Sequence, residues 1–153
     1  MNKLVLVTFL FSSIISKSFS QKSLSDYSYV IVSEQFEFQQ EKDQYQLNSL
    51  IKFLFNKYGF HAYFDSEVPL NVFRCDGLWA EAEGTPGFII TKVQLVLRDC
   101  TGEEVFRTNY GKSKVKDYKK AYYESVRNAF DDIINLNITQ KEIEDVDIVS
   151  ISN

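Results

Sequence analysis

A chain of 153 residues, 44% apolar and 25% charged, has an ordinary globular composition, with enough length for one domain and a real core. Two of the 17 Lys and Arg, and none of the 21 Asp and Glu, fall within residues 1–20, which leaves the remainder at 15 − 21 = −6. That acidic balance argues against a general nucleic-acid binder, which carries a basic excess.

The chain opens MNKLVLVTFLFSSIISKSFSQ. Lys3 supplies a positive start, Leu4 to Ile15 an apolar run, and Ser18 and Ser20 the small residues at −3 and −1 of a cut before Gln21. This is the layout of a secretory signal peptide over residues 1–20. The apolar run is shorter than the roughly 20 residues a bilayer span needs, although an uncleaved anchor is the alternative. The protein is expected to be exported, periplasmic or secreted, with no transmembrane span after cleavage.

The rest reads as one domain over residues 21–138, followed by an acidic tail at 139–153, either disordered or an added edge strand. Tyr27 to Phe38 is β-branched and aromatic, which predicts a strand with Val30, Val32, Phe36 and Phe38 on one face. Leu47, Leu50, Ile51, Leu54, Phe55 and Tyr58 then fall on one stripe of an amphipathic helix. Asp43 and Gln46 are spaced as a capping box, and Gly59 and Phe60 as a helix stop. HAYFD predicts a short strand and Pro69 a loop. Arg74 to Glu83 and Phe88 to Arg98 read as a hairpin joined at Gly84-Thr85-Pro86-Gly87. The turn Asp99-Cys100-Thr101-Gly102 leads into a further strand, EEVFRTNY. A second helix is expected from about Ser113 to Asn135, with Ser113 as N-cap and Val115, Tyr118, Tyr122, Val126, Ala129 and Ile133 on its inner face.

The order β-α-β-β-β-β-α implies an α+β two-layer sandwich, a mostly antiparallel sheet of about five strands with both helices on one face. Cystatin-like domains and the N-terminal modules of some bacterial envelope-assembly proteins share such layouts, a likeness of architecture that carries no function. Parity places Leu78, Ala80, Ala82, Val93, Leu95 and Leu97 toward the helices. The other side would carry Tyr29, Ile31, Trp79, Ile90 and Val96 among Glu81, Glu83, Lys92, Gln94 and Arg98. Left uncovered, these five apolar residues would form a partner face; covered by the tail or a loop, they would be core.

Cys75 and Cys100 are the only cysteines. A two-residue turn at Thr85-Pro86 would set Cys75 opposite Val96, about 13 Å of strand from Cys100, beyond the roughly 7 Å a disulfide spans. Bonding therefore requires a bulge or a chain that curls back at Arg74-Cys75 or at the DCTG turn. Export still favours the disulfide over two buried free thiols. Zinc would need closely spaced ligands, and only His61 joins the two thiols, so no metal or cofactor is expected. His61 is the sole histidine, hence the only base for a Ser-His-Asp or Cys-His arrangement. Gly111-Lys112-Ser113 lacks the earlier glycine of a phosphate loop, because Phe106 stands there. Lys112, Lys114, Lys116, Lys119 and Lys120 crowd the second helix start, either a solvated basic face or a weak site for anions or acidic surfaces. Glu81 with Glu83, Glu103 with Glu104 and Asp131 with Asp132 are carboxylate pairs without an inferable cleft. Asn137-Ile138-Thr139 matches a glycosylation acceptor.

The MNK start, the SFSQ junction and the blocks EKDQYQLN and KDYKKAYYESVRNAF together resemble small exported proteins of Gram-negative bacteria, periplasmic or secreted, to which no activity is attached. The resemblance implies an envelope or extracellular location. The reading is a non-catalytic exported module that binds an envelope protein partner, or its own copies, through the sheet face or the lysine-rich helix start. The alternative is a small secreted hydrolase using His61 or a carboxylate pair.

Overall fold

A computed structural model of the chain describes residues 22–143. The expected signal peptide, residues 1–20, and the tail beyond residue 143 lie outside the described residues. Strands β1 (Tyr29–Val32), β2 (Ala62–Phe64), β3 (Gly77–Thr85), β4 (Thr91–Arg98), β5 (Glu104–Arg107) and β6 (Gly111–Ser113) form one sheet. Helices α1 (Leu47–Lys57) and α2 (Tyr118–Asn135) complete the α+β fold. The strand order is β2-β1-β3-β4-β5, with β6 also pairing with β4. β1 runs parallel to both β2 and β3, and the other pairs are antiparallel.

Both helices bury their stripes on one side of this sheet. Leu47, Leu50, Ile51, Leu54 and Phe55 of α1 join Tyr122, Val126, Phe130 and Ile133 of α2 in a single core with Val30, Val32, Leu78, Ala80, Ala82, Val93, Leu95 and Leu97. Helix α1 ends as its sequence predicts. Gly59 takes φ +88, the Phe60 N–H donates to the Phe55 carbonyl at 3.1 Å, and the two rings meet edge to face at 5.3 Å. This closes the last turn in the way a Schellman motif does. The helix start differs from expectation. Asp43 and Gln46 form no capping box; both take left-handed backbone conformations. The Asp43 carboxylate instead accepts from the Ser49 N–H at 2.9 Å and from the Ser49 hydroxyl at 2.5 Å, satisfying a donor of the first turn from outside the helix.

The strand predicted over Tyr27 to Phe38 ends at Val32. Phe36 and Phe38 reach the core from a loop, where Phe38 stacks between Phe36 and Tyr122. Its ring occupies the space over Gly84, 2.8 Å from where a Cβ would stand. The second correction lies at α2. Ser113 belongs to β6, and Asp117 is the N-cap, accepting from the Lys120 N–H at 2.9 Å. Val115 and Tyr118 are exposed rather than inward-facing. A three-residue strand explains the error, since it is too short to carry a period of its own. Gly111 sits against the helix backbone: a Cβ there would lie 1.9 Å from the Ser125 carbonyl oxygen.

The β3–β4 turn is longer than expected. Gly84 pairs with Val93 and Trp79 with Arg98, a register six residues from the one a Thr85-Pro86 turn would set. Six is even, so every side chain keeps its predicted face. The slide also draws the strand ends together, and a 3-10 turn at Arg74–Asp76 brings Cys75 back toward the DCTG turn. Cys75 and Cys100 are bonded with Cα atoms 5.0 Å apart.

The first described tail residues pack on the domain. The buried Gln140 accepts from the His61 N–H through its side chain at 2.9 Å, and its own N–H donates to the Gly59 carbonyl at 3.3 Å. Lys141 pairs with Asp76 at 3.2 Å.

Candidate functional site

The face of the sheet away from the helices is not the open apolar patch the parity suggested. Tyr29, Ile31 and Val96 are buried within the chain, and Trp79 and Ile90 are half-buried. Tyr29 lies under the loop before β3, its hydroxyl donating to the carbonyls of Phe73 at 3.0 Å and Arg74 at 3.3 Å. Burial raises its pKa, and the nearby Asp76 carboxylate adds to that. The Arg74 guanidinium covers the Trp79 ring at 5.3 Å. Val96 stands between Glu81 and Arg107 in the sheet register. Arg98 pairs with Glu81 at 3.0 Å, and Arg107 reaches Glu83 at 2.8 Å, Glu104 at 2.7 Å and the Gln94 amide oxygen at 3.0 Å. The stems of these long side chains roof the apolar residues while their heads meet water.

What remains open is a groove at the edge of β3. β1 accompanies β3 only from Gly77 to Ala80, yet β3 continues to Thr85. Among the described residues, Glu81 to Thr85 therefore has β4 on one side and no strand on the other. The chain leaving β1 is held away by buried amides. Asn48 donates to the Ser33 carbonyl at 2.6 Å and accepts from Gln39 at 2.7 Å, while the Gln39 side-chain oxygen accepts from the Phe36 N–H at 2.6 Å. Asn48 is fully buried and Gln39 nearly so, and buried amides bonded on several sides lock a single loop conformation.

Between this segment and β3 lies a groove of 880 Å³, whose floor includes Ile31, Phe36 and Trp79. Its charged lining is Glu34, Glu37, Asp65, Glu81 and Glu83 against Lys42 and Arg98. Glu34 bonds Lys42 at 2.5 Å and accepts from Ser66 at 2.9 Å; those hydrogen bonds, the Lys42 one first, hold its carboxyl below the usual range. The lining has five acids and two bases, so the groove is acidic.

The other sequence candidates are dispersed. His61, at the mouth of β2, is half-buried and lies outside the groove lining. Glu81, Glu83 and Glu104 are engaged by arginines, and Asp132 accepts from the Asn109 backbone at 2.5 Å. No cluster of three or more His, Cys, Asp or Glu among the described residues has metal-binding geometry. Lys112 lies on β6, Lys114 and Lys116 on the connection to α2, and Lys119 and Lys120 in its first turn; all five are exposed. Sequence reasoning missed the groove, because the only signal was a mismatch in strand length that β propensity conceals.

No protein-family model matches the chain, and no curated protein matches it. Among solved structures, a point variant of the PelC dodecamer from Paraburkholderia phytofirmans is similar over 80% of this chain and 95% of that one, at 13% identity and a TM-score of 0.45. A second crystal form of the PelC dodecamer gives a TM-score of 0.43 over the same shares and at the same identity.

Proposed function

We propose that this protein is a non-catalytic exported module that binds an extended, basic segment of a partner protein in the groove beside β3. The observation that carries the reading is the stretch Glu81–Thr85, whose outer edge no strand among the described residues pairs, next to a groove with an aromatic floor and acidic walls. A free strand edge binds by adding a strand: main-chain hydrogen bonds supply affinity, and alternate side chains supply specificity. The excess of acids in the lining, five against two bases, disfavours pairing with a second copy of the same edge and favours a lysine- or arginine-bearing strand. A non-catalytic role is supported by the dispersal of His61 and the arginine-engaged carboxylates. Export is supported by the disulfide; no helix among the described residues is long and apolar enough to cross a membrane.

The test uses a short synthetic peptide of alternating lysine and valine, with a glutamate–valine peptide of equal length as control. The basic peptide should slow amide exchange across Glu81–Thr85 and change the emission of Trp79, the single tryptophan. Glu81→Lys with Glu83→Lys should weaken it at least tenfold, the equivalent of about 1.4 kcal/mol. Equal binding of both peptides, or protection confined to another part of the chain, would refute the proposal.

A further inference from the structure

Away from the groove, an apolar surface protrudes at the tip of the β3–β4 hairpin. Phe88 is 101% exposed and Ile89 75%, on the short connection between Thr85 and Thr91. The ladder places a second segment beside this tip: Thr91 pairs with Ser113 and Lys92 with Lys112. The chain beyond Ser113 leaves the sheet at the same end as Phe88 and Ile89. It carries Lys114, Val115, Lys116 and Tyr118, with Val115 42% and Tyr118 49% exposed.

Lys92 and Lys112 face each other directly across the strands. Like charges in that position destabilise a sheet, so folding alone gives no reason for the pairing. Among the described residues no ion pair joins Lys92, Lys112, Lys114 or Lys116 to an acid. Asp117 is occupied as the α2 cap, Glu124 accepts from the Ser113 hydroxyl, and Glu83 is paired with Arg107. A chain that is acidic in sum thus places four lysines that form no ion pair among the described residues at the end of the sheet where two apolar side chains protrude.

We infer that this end of the sheet docks on the surface of an anionic lipid bilayer, Phe88 and Ile89 entering the interface while Lys92, Lys112, Lys114 and Lys116 meet the headgroups. A protruding apolar tip with a basic collar matches a fluid interface, which closes around it, better than a protein partner, which would need a complementary hole. Tyrosine at the rim suits the headgroup level. Each lysine near an anionic surface adds roughly fivefold to partitioning at moderate salt, and a second signal, here the apolar pair, makes such anchoring stable. None of these residues lines the β3 groove, although Lys92 pairs with Thr85 at the end of its edge, and the inference does not depend on the reading proposed for the groove.

The experiment is sedimentation of the disulfide-bonded protein with vesicles of phosphatidylcholine containing about one-third phosphatidylglycerol, against vesicles of phosphatidylcholine alone. The expected result is partitioning to the anionic vesicles only, weakened severalfold when salt rises from about 0.1 to about 0.5 M. Phe88→Ser with Ile89→Ser should lose at least tenfold, about the effect of withholding one large apolar side chain. Lys112→Glu with Lys114→Glu should abolish it. All four side chains are exposed, so circular dichroism should not change and the unfolding midpoint should not fall, Lys112→Glu even relieving the like-charge pair with Lys92; this separates lost docking from lost folding. Absence of partitioning to anionic vesicles, or partitioning that survives the Phe88 and Ile89 replacement, overturns the inference. So does equal competition by soluble polyglutamate in place of lipid.

Discussion

Replacing Gly111 by alanine probes the close approach of β6 to α2. A Cβ at this position would lie 1.9 Å from the Ser125 carbonyl oxygen, 2.4 Å from the Ala129 nitrogen and 3.0 Å from the Ala129 methyl. Restoring ordinary contact near 3.5 Å requires β6 and α2 to separate by roughly 1.5 Å. Both neighbouring groups are backbone, so no side chain can swing aside. Separation strains the buried hydrogen bond from the Ser125 hydroxyl to the Thr91 carbonyl, now 3.1 Å, which contributes about 1 kcal/mol. It also loosens the packing around Ala121, Ser125 and Ala129, all essentially buried, at an overpacking cost of about 1–3 kcal/mol. The expected loss is about 3 kcal/mol. Gly102→Ala is the control: nothing stands within 4 Å of its Cβ position, and only φ +85 opposes the change, for about 1 kcal/mol. Urea unfolding followed by Trp79 emission measures both. A Gly111→Ala protein as stable as Gly102→Ala would show that β6 does not approach the helix this closely.

The Cys75–Cys100 bond closes a separation of 25 residues; loop-closure entropy for that length gives about 3.5 kcal/mol. Replacing both cysteines by serine should therefore lower the urea midpoint by one molar or more, and a shift within error would show that the bond constrains little. Acid should destabilise the protein through carboxylates held low in the fold. Asp99 accepts from the Thr101 hydroxyl at 2.6 Å, the Thr101 N–H at 2.8 Å and the Glu103 N–H at 3.0 Å, and Glu67 bonds Lys52 and the Phe64 N–H; both are shifted below the usual carboxylate range. The unfolded chain consequently takes up protons first as pH falls below about 5, and the stabilisation, full at neutral pH, is lost on further descent through the folded values. Thermal midpoints from pH 7 to pH 3 should fall, and Asp99→Asn should flatten that fall; an unchanged slope would remove Asp99 from the account.

The parts legible in the sequence are those where one local pattern decides the structure. Helix α1 is such a case: its apolar spacing selects the buried stripe, and Gly59 with Phe60 ends it because a left-handed residue is needed there. The faces of β3 and β4 are also legible, since parity survives a register slide of an even number of residues. Failures occur where distant contacts override local preference. Phe36 and Phe38 have strand propensity, yet the buried Gln39–Asn48–Ser33 network bends their segment into a loop, and the two rings fill the core from there. Ser113 reads as a helix cap because serine favours that role, but pairing with Thr91 claims it for β6. The hairpin turn was misplaced because Gly84 and Gly87 both look like turn residues; Gly84 instead makes room for Phe38. Net charge was the least informative quantity. The acids and bases that matter are sorted in space by strand pairing, which composition does not record.

That sorting determines whether the two proposed surfaces can act together. The groove acids Glu81 and Glu83 and the apolar tip at Phe88 belong to the same hairpin, and Glu83 stands five residues from Phe88. Phe88 lies beyond the end of β3, but Lys92 of the collar pairs with Thr85, two residues from Glu83 and roughly 7 Å along the strand at about 3.3 Å per residue, just inside the Debye length of about 8 Å at physiological salt. An anionic bilayer meeting the lysine collar would therefore repel the groove acids weakly at physiological salt, while a basic strand held along β3 would remain accessible from the side. At low salt the screening length grows to about 30 Å, and the two surfaces should then communicate. Binding of the lysine–valine peptide, which neutralises the groove, should strengthen vesicle partitioning in about 0.01 M salt and do so much less at about 0.15 M. Coupling of equal size at both salts would mean that the surfaces communicate by a change of conformation rather than through their charges, and the electrostatic account of their coupling would fail.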